Sequence, residues 1–328
     1  MKVTLHEVAA RAGVSIATVS RALNGLPVSE KNQSLVREAV DALGYVANEA
    51  ARALRSDKSM TMGIIFADLR NTLGIDLLDA LSDAIEEAGY SLIIATARND
   101  ARRFDVLMHR FLERRLDALF LIHPPGRLEY LDRYEAARTP VMTMFGSGPG
   151  VQPMPNVSPS FSDPAKALAE HLHGLGHRKV AMLGYERSAG PMAAIAEALK
   201  AHGQVVEIVE TPPGAGMTET VRSLMAMPGR PTAVLTRDPA VRGLMVACAA
   251  QGVKVPDDLS VVSLNDITSE SYHRKHAISS VTVDPHRMGK ASGAAMLAWL
   301  AGSRPAERIR VQVASFYPRA SIGAAPRT

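Results

Sequence analysis

From Met60 onward, short apolar runs alternate with amphipathic helical segments, and this alternation leaves few folds open. The run "MGIIFADL" is followed by helical spacing over "IDLLDALSDAIEEAG", then by strand "YSLIIATA", helix "ARRFDVLMHRFLERR", strand "LDALFLI", helix "LEYLDRYEAAR" and strand "PVMTMF". Apolar runs that each lead into an amphipathic helix are the mark of βαβ units in a parallel sheet covered by helices. A second series begins near Asp163 with helix "PAKALAEHLHGLG". It continues through strands "KVAMLGY", "VVEIVE", "PTAVLT" and "SVVSLN" with helices "PMAAIAEALKAHG", "TETVRSLMAM" and "PAVRGLMVACAAQG" between them. The stretch "GSGPGVQPMPNVSPSFSDP", 146–164, reads as a turn-rich connector where one lobe hands over to the next. Late in the chain, "DPHRMGKASGAAMLAWLAG" is a further amphipathic helix and "RIRVQVASFYP" a last strand region.

The first 46 residues have a different texture, that of three short helices. Thr4 with Glu7 three positions on forms a capping box for "LHEVAARAG", which Gly13 closes. Ser15 caps "IATVSRALN", and a third run starts at Ser29 and stops at Gly44. Val36, Ala39, Val40 and Leu43 fall at helical spacing and, with Leu5, Val8, Ala9, Val14, Val19 and Leu23, fill a small core. Residues 48–59, "NEAARALRSDKS", are alanine-rich with Asn48 in capping position. Their helical part spans only about two turns, so it is marginal alone and reads as a linker that becomes helical when held.

Bulk numbers bound the rest. At 328 residues the chain accommodates two or three domains, and 47% hydrophobic with 21% charged residues is a globular composition. A net charge of +4 permits a polyanionic partner without requiring one. A single cysteine, Cys248, excludes an internal disulfide framework and fits a reducing compartment. No secretory h-region and no membrane-length apolar run is visible, so a soluble, cytoplasmic protein is expected.

The stretches "VTLHEVAARAGVSIATVSRALNG", "VSEKNQSLVREAVDALGYVANEAARALRS", "GHRKVAMLG", "VPDDLSVVSLND" and "ISSVTVDPHRMGKASGAAML" together resemble the LacI/GalR family of bacterial transcription regulators across essentially the whole chain. Ala9, Gly13 and Val19 sit at the spacing of a helix-turn-helix: close helix contact, a turn, and the packing of the second helix on the first. The resemblance implies an N-terminal all-α helix-turn-helix domain at 1–47 and a hinge helix or linker at 48–59. It also implies an α/β, two-lobed, periplasmic-binding-protein-like effector domain with parallel sheets. One lobe would comprise 60–159 and 283–309, the other 160–282 and 310–328.

The second helix of such a motif enters the major groove of double-stranded operator DNA. Ile16, Ala17 and Arg21 are its residues nearest base edges. Arginine donates a bidentate pair to guanine, whereas Ile16 and Ala17 offer only apolar contact, for instance to a thymine methyl. Thr18, Ser20, Asn24 and Ser29 suit phosphate hydrogen bonds, with Thr4, Ser15 and Tyr45 adding to them, although Ser15 and Ser29 also serve as helix caps. In the resembled family a hinge leucine wedges into the minor groove, which points here to Leu54. Ala50, Ala51 and Ala53 would let two hinges pack, and Asn48, Arg52 and Arg55 lie beside it within reach of phosphates. A homodimer on a palindromic operator is expected, acting as a repressor and without a leucine-heptad tail.

The resemblance also implies a small-molecule effector between the lobes, and here the chain departs from the family pattern. Pro191 stands where an arginine is usual, with Ala194 and Ile195 replacing glycine and an aromatic. The usual "ND" reads Arg237–Asp238, Asn265 replaces an aspartate, and Asn71-Thr72-Leu73-Gly74 offers no aromatic to stack on a sugar. With Ser160 and Phe161, these residues make up the expected effector site. One reading is an anionic or atypical sugar-like effector held by Arg237, with Asp238, Asn265 and Asn71 assisting. The other is a degenerate cleft with no effector.

Other features are set aside. His171 and His173, two apart on a helix, point to different faces and His177 falls in a turn, so no metal site is assigned. Cys248 reads as a small buried hydrophobe. No nucleophile–base or paired-carboxylate constellation is identifiable, so neither enzyme chemistry nor a cofactor is expected. A solute-sensing binding protein is the alternative from a different class.

Overall fold

The computed structural model describes residues 3–23, 26–45, 58–68, 73–125, 128–145, 154–184, 191–209, 216–264 and 277–326. The chain divides into two compact units, Met1–Ser59 and Met60–Thr328.

In the first unit, helices α1 (Leu5–Ala12), α2 (Ile16–Leu23) and α3 (Glu30–Leu43) begin and end where local chemistry dictates. The Thr4 amide donates to Glu7 Oε2 at 2.7 Å while Thr4 Oγ1 accepts from the Glu7 amide at 3.4 Å, a reciprocal capping box. Gly13 closes α1 at φ 68°, a left-handed conformation that costs glycine little, and Gly44 does the same for α3. Ser15 caps α2 and Ser29 caps α3. Val8, Ala9, Ala12, Val19, Ala22, Val36 and Ala39 are buried together, with Leu5, Val14, Leu23, Val40, Leu43 and Tyr45 packed around them. The small alanines bring the helices close, as the helix-turn-helix spacing requires.

The second unit contains, among the described residues, two six-stranded sheets. In chain order its first elements are β1 (Thr61–Phe66), α4 (Leu73–Glu86), β2 (Ser91–Thr96), α5 (Ala101–Glu113), β3 (Ala118–Ile122), α6 (Leu131–Ala136), β4 (Val141–Met144) and β5 (Asn156–Pro159). There follow α7 (Ser162–Gly174), β6 (Lys179–Leu183), α8 (Pro191–Ala201), β7 (Val205–Val209), α9 (Met217–Ala226), β8 (Ala233–Arg237), α10 (Asp238–Ala250) and β9 (Ser260–Leu264). The last are β10 (Ser279–Val283), α11 (Pro285–Leu300), β11 (Arg308–Val311) and β12 (Ala314–Tyr317). The first sheet runs β11-β5-β4-β3-β1-β2 and the second β12-β10-β9-β8-β6-β7.

The central strands are buried on both faces, which is why they read as continuous apolar runs rather than as alternations. In β3, Ala118, Phe120 and Ile122 join one core while Leu119 and Leu121 join another with Phe104, Met108 and Phe111 of α5. In β6, Val180 and Met182 point one way and Ala181 and Leu183 the other. Cys248 is buried in this last core, and burial pushes its thiol up to about 11, so it behaves as a hydrophobe.

Three details differ from the sequence reading. The expected connector at 146–164 contains a strand: β5 pairs in parallel with β11 and with β4. Its polar Asn156 is buried because Nδ2 donates to Thr143 Oγ1 at 2.7 Å. The expected last strand region is two strands, β11 in the first sheet and β12 in the second. Finally, β12 runs antiparallel to β10, so the second sheet is not purely parallel.

Helix α11 follows a strand of the second sheet yet lies against α4 beside the first. Glycines make that approach possible: a Cβ on Gly289 would lie 2.6 Å from the Leu77 carbonyl oxygen, and one on Gly293 2.9 Å from Ala84 Cβ. The C-terminal segment is fixed by a buried histidine. His177 Nε2–H donates to the Gly323 carbonyl at 3.0 Å, and Nδ1 accepts from Thr232 Oγ1 at 2.8 Å. Ser260 Oγ, 3.2 Å from Nε2, accepts the Gly323 amide at 3.1 Å.

Burial lowers the His177 pKa against the opposing Gly323 hydrogen bond, and the charges of His171 and Arg178 lower it further. The folded state therefore holds the ring neutral. The resulting stabilisation is fully present above the unfolded value of about 6.5 and is lost as pH falls below it. Urea unfolding of the full chain, followed by the fluorescence of its single tryptophan, Trp299, should show stability falling between pH 7 and 5. His177→Gln should lower stability at pH 7 and flatten that slope.

Candidate nucleic-acid interface and ligand cleft

The exposed face of α2 is set by which of its residues face the core. Val19 and Ala22 are buried, which leaves Ile16, Ala17 and Arg21 exposed and Thr18 and Ser20 half-buried. Ser15 Oγ accepts the Thr18 amide at 3.0 Å and lies 2.9 Å from Thr18 Oγ1, so these hydroxyls cap the helix. Thr4 and Ser29 are exposed at the N-termini of α1 and α3, where the Thr4 amide and hydroxyl both donate to the Glu7 carboxylate and Ser29 Oγ accepts the Asn32 amide. Tyr45 packs at the edge of the core after Gly44. Asn24, Asn48, Ala51, Arg52, Leu54 and Arg55 lie outside the described residues.

In the second unit, ligand chemistry is expected at the C-terminal edge of a parallel sheet, where strands end and loops begin. Arg237 is the last residue of β8 and the N-cap of α10, and its side chain is exposed. Two residues at strand ends of the first sheet escaped the sequence reading. His123 and Phe145 directly follow β3 and β4, neighbouring strands in which Ile122 pairs with Met144. Both adopt left-handed backbone, φ 51° and 65°, uncommon for such residues and often found at functional sites. Their rings stack with centroids 6.2 Å apart and planes inclined by 30°.

His123 is open to solvent on one side, yet it is walled by enough protein that burial lowers its pKa, with Arg237 lowering it further. The repulsion places the two groups within electrostatic reach although they come from different sheets. At neutral pH the imidazole is uncharged. His123 thus stacks on Phe145 and lies within electrostatic range of the Arg237 guanidinium. The sequence signal was available: His123 is the first position after the run "LDALFLI" and Phe145 the last of "PVMTMF", both already read as strands.

The other expected cleft residues have varied surroundings. Ser160 and Phe161 are both buried. The Ser160 amide donates to the Val311 carbonyl at 2.8 Å, its hydroxyl lies 3.1 Å from Ser162 Oγ, and Phe161 belongs to the main core. Pro191 opens α8 and is half-buried. Leu73 and Asp238 open α4 and α10, but their side chains lie outside the described residues, as do Asn71 and Asn265 altogether. Among the described residues, no group of three metal-ligating side chains converges, and no helix is long and apolar enough to cross a membrane.

Comparison with known proteins agrees with this division of the chain. Residues 4–48 match the model of bacterial regulatory proteins of the lacI family, and residues 169–322 that of a periplasmic binding protein-like domain. The chain is 30% identical over 312 residues to the HTH-type transcriptional regulator GntR of Pseudomonas aeruginosa, covering 91% of this chain and 90% of that one. It is 28% identical to catabolite control protein A of Staphylococcus aureus, covering 81% and 83% respectively. A structure of the lac repressor dimer bound to operator and the anti-inducer ONPF superposes with a TM-score of 0.81 at 25% identity, over 99% of this chain and all of that one.

Proposed function

The chain belongs to the lacI family of bacterial regulatory proteins and is a DNA-binding transcriptional regulator, and from that premise we propose how it works. It acts in the cytoplasm as a homodimeric repressor of a palindromic operator, with α2 in the major groove and Arg21 as the principal base contact. It carries out no catalysis. A small anionic molecule at the mouth shared by His123, Phe145 and Arg237 tunes DNA binding.

The observation that carries the DNA half is the orientation of α2: Val19 and Ala22 hold it down while Arg21 stays exposed. A bidentate arginine–guanine contact is worth roughly 1–3 kcal/mol of discrimination, about fivefold to 150-fold in affinity per half-site. Arg21→Ala should lose that much affinity for a selected operator while non-specific binding to unrelated duplex falls far less. Anisotropy titrations at one fixed salt concentration read both, and equal losses on the two duplexes would contradict the assignment.

The effector half rests on the stacked His123 and Phe145 and on Arg237 lying within electrostatic range of His123. A guanidinium favours a carboxylate or phosphate, and the aromatic pair offers a face for the C–H side of a sugar ring. These features favour a sugar acid or sugar phosphate over a neutral hexose and over an empty cleft. A thermal-shift screen tests this. At a hundred times its Kd such a ligand should raise Tm by roughly 5 °C, and Arg237→Ala should abolish the rise. A response to neutral hexoses alone would contradict an anionic effector.

A further inference from the structure

One edge strand of the two sheets carries exposed cations. β2 and β7, at the far edges, expose apolar residues instead: Ile94, Val205 and Ile208. β11 is shorter than either, yet it presents Arg308 and Arg310, both exposed. Charged side chains commonly blunt a sheet edge against self-association. The longer, more apolar β2 and β7 need that protection more, and neither contains an arginine or a lysine.

β11 pairs with β5 alone. The Asn156 amide donates to the Glu307 carbonyl at 2.9 Å, and the Ser160 amide to that of Val311 at 2.8 Å. Main-chain bonds to one neighbour recur at every second residue, so the amides and carbonyls of Arg308 and Arg310 point to the open edge. Among the described residues neither arginine has an ion-pair partner, and Arg310 donates to the Pro159 carbonyl at 3.5 Å. Ile309 and Val311 lie on the other face of the strand, packed against the main core, and Glu307 shares their side.

We propose that β11 is a docking edge for an extended acidic segment of a partner protein, which adds as a strand with carboxylates opposite Arg308 and Arg310 and apolar residues between them. Strand addition supplies the hydrogen bonds that the open edge lacks. Carboxylates two residues apart match the two guanidiniums, and the alternating apolar residues fall on the face of Ile309 and Val311. The edge uses no residue assigned to DNA or to the effector. Gln312 and Val313 alone separate β11 from β12, so a partner seated here holds the chain where it crosses between the sheets.

The test is anisotropy of the fluorescein-labelled peptide GEVEVEG with the full-length protein. It should bind saturably with a Kd below about 1 mM. The double variant Arg308→Glu/Arg310→Glu should bind about tenfold more weakly or worse, whereas Arg21→Ala should bind as well as the unaltered chain. Both arginines are exposed, so the double variant should fold, which circular dichroism checks. Peptides N-methylated at every second residue, made in both phases, read strand pairing: one phase should lose binding and the other keep it. Amide hydrogen exchange at Arg308 and Arg310 should slow with peptide bound. Absence of saturation, undiminished binding to the double variant, or equal binding of the two methylated phases would overturn the proposal, the last by showing attraction through charge alone.

Discussion

The fold depends on a threading constraint: the two sheets are built from one chain that passes between them repeatedly. The chain leaves the first sheet after β5, returns after β10 through α11, places β11 in the first sheet and ends with β12 in the second. Neither sheet is complete without segments distant in sequence. The seating of α11 against α4 shows how tightly the return is held, because Gly289 and Gly293 leave no room there for even a methyl group. Such contacts resist gradual deformation, since a close-packed interior has few intermediate arrangements. Parallel pairing then gives the strands of each sheet, β12 excepted, a common direction, so their C-terminal ends gather residues from several strands at one edge.

That edge explains why the candidate site draws on residues far apart in the chain. His123, Phe145 and Arg237 each stand at the end of a different strand, and none is near another in sequence. Each is placed by the strand before it, and those strands are buried on both faces. The first unit uses a simpler device, in which capping residues fix where three short helices start and stop and small residues let them touch. Val19 is fully buried and Ile16 is not, although they sit three positions apart on the same helix. That difference separates the side that packs from the side left exposed.

Much of this was legible in the sequence because it depends on local chemistry. Thr4 with Glu7, Ser15, Ser29, Gly13 and Gly44 marked the helix ends of the first unit where the structure places them. The doubly buried strands announced themselves as aliphatic runs. What escaped notice depends on partners distant in the chain. β5 hid in a proline-rich stretch because its pairing is with β11, some 150 residues later, and with β4. The split of the last strand region into β11 and β12 follows from which sheet edge each half meets, and no local pattern encodes that. The cleft was sought at positions where the family pattern has polar anchors. The stacked pair His123 and Phe145 went unread, because their relation appears only once β3 and β4 are neighbours.

The central claim is that this chain recognises a two-fold-symmetric DNA sequence through paired copies of α2. Hydroxyl-radical footprinting of the full-length protein on a selected operator tests it most directly, because it maps the protected backbone without assuming which residues touch it. The account predicts two symmetric protected patches, centred about one helical turn apart and related by a dyad. A single asymmetric patch, or uniform protection without a dyad, would contradict it.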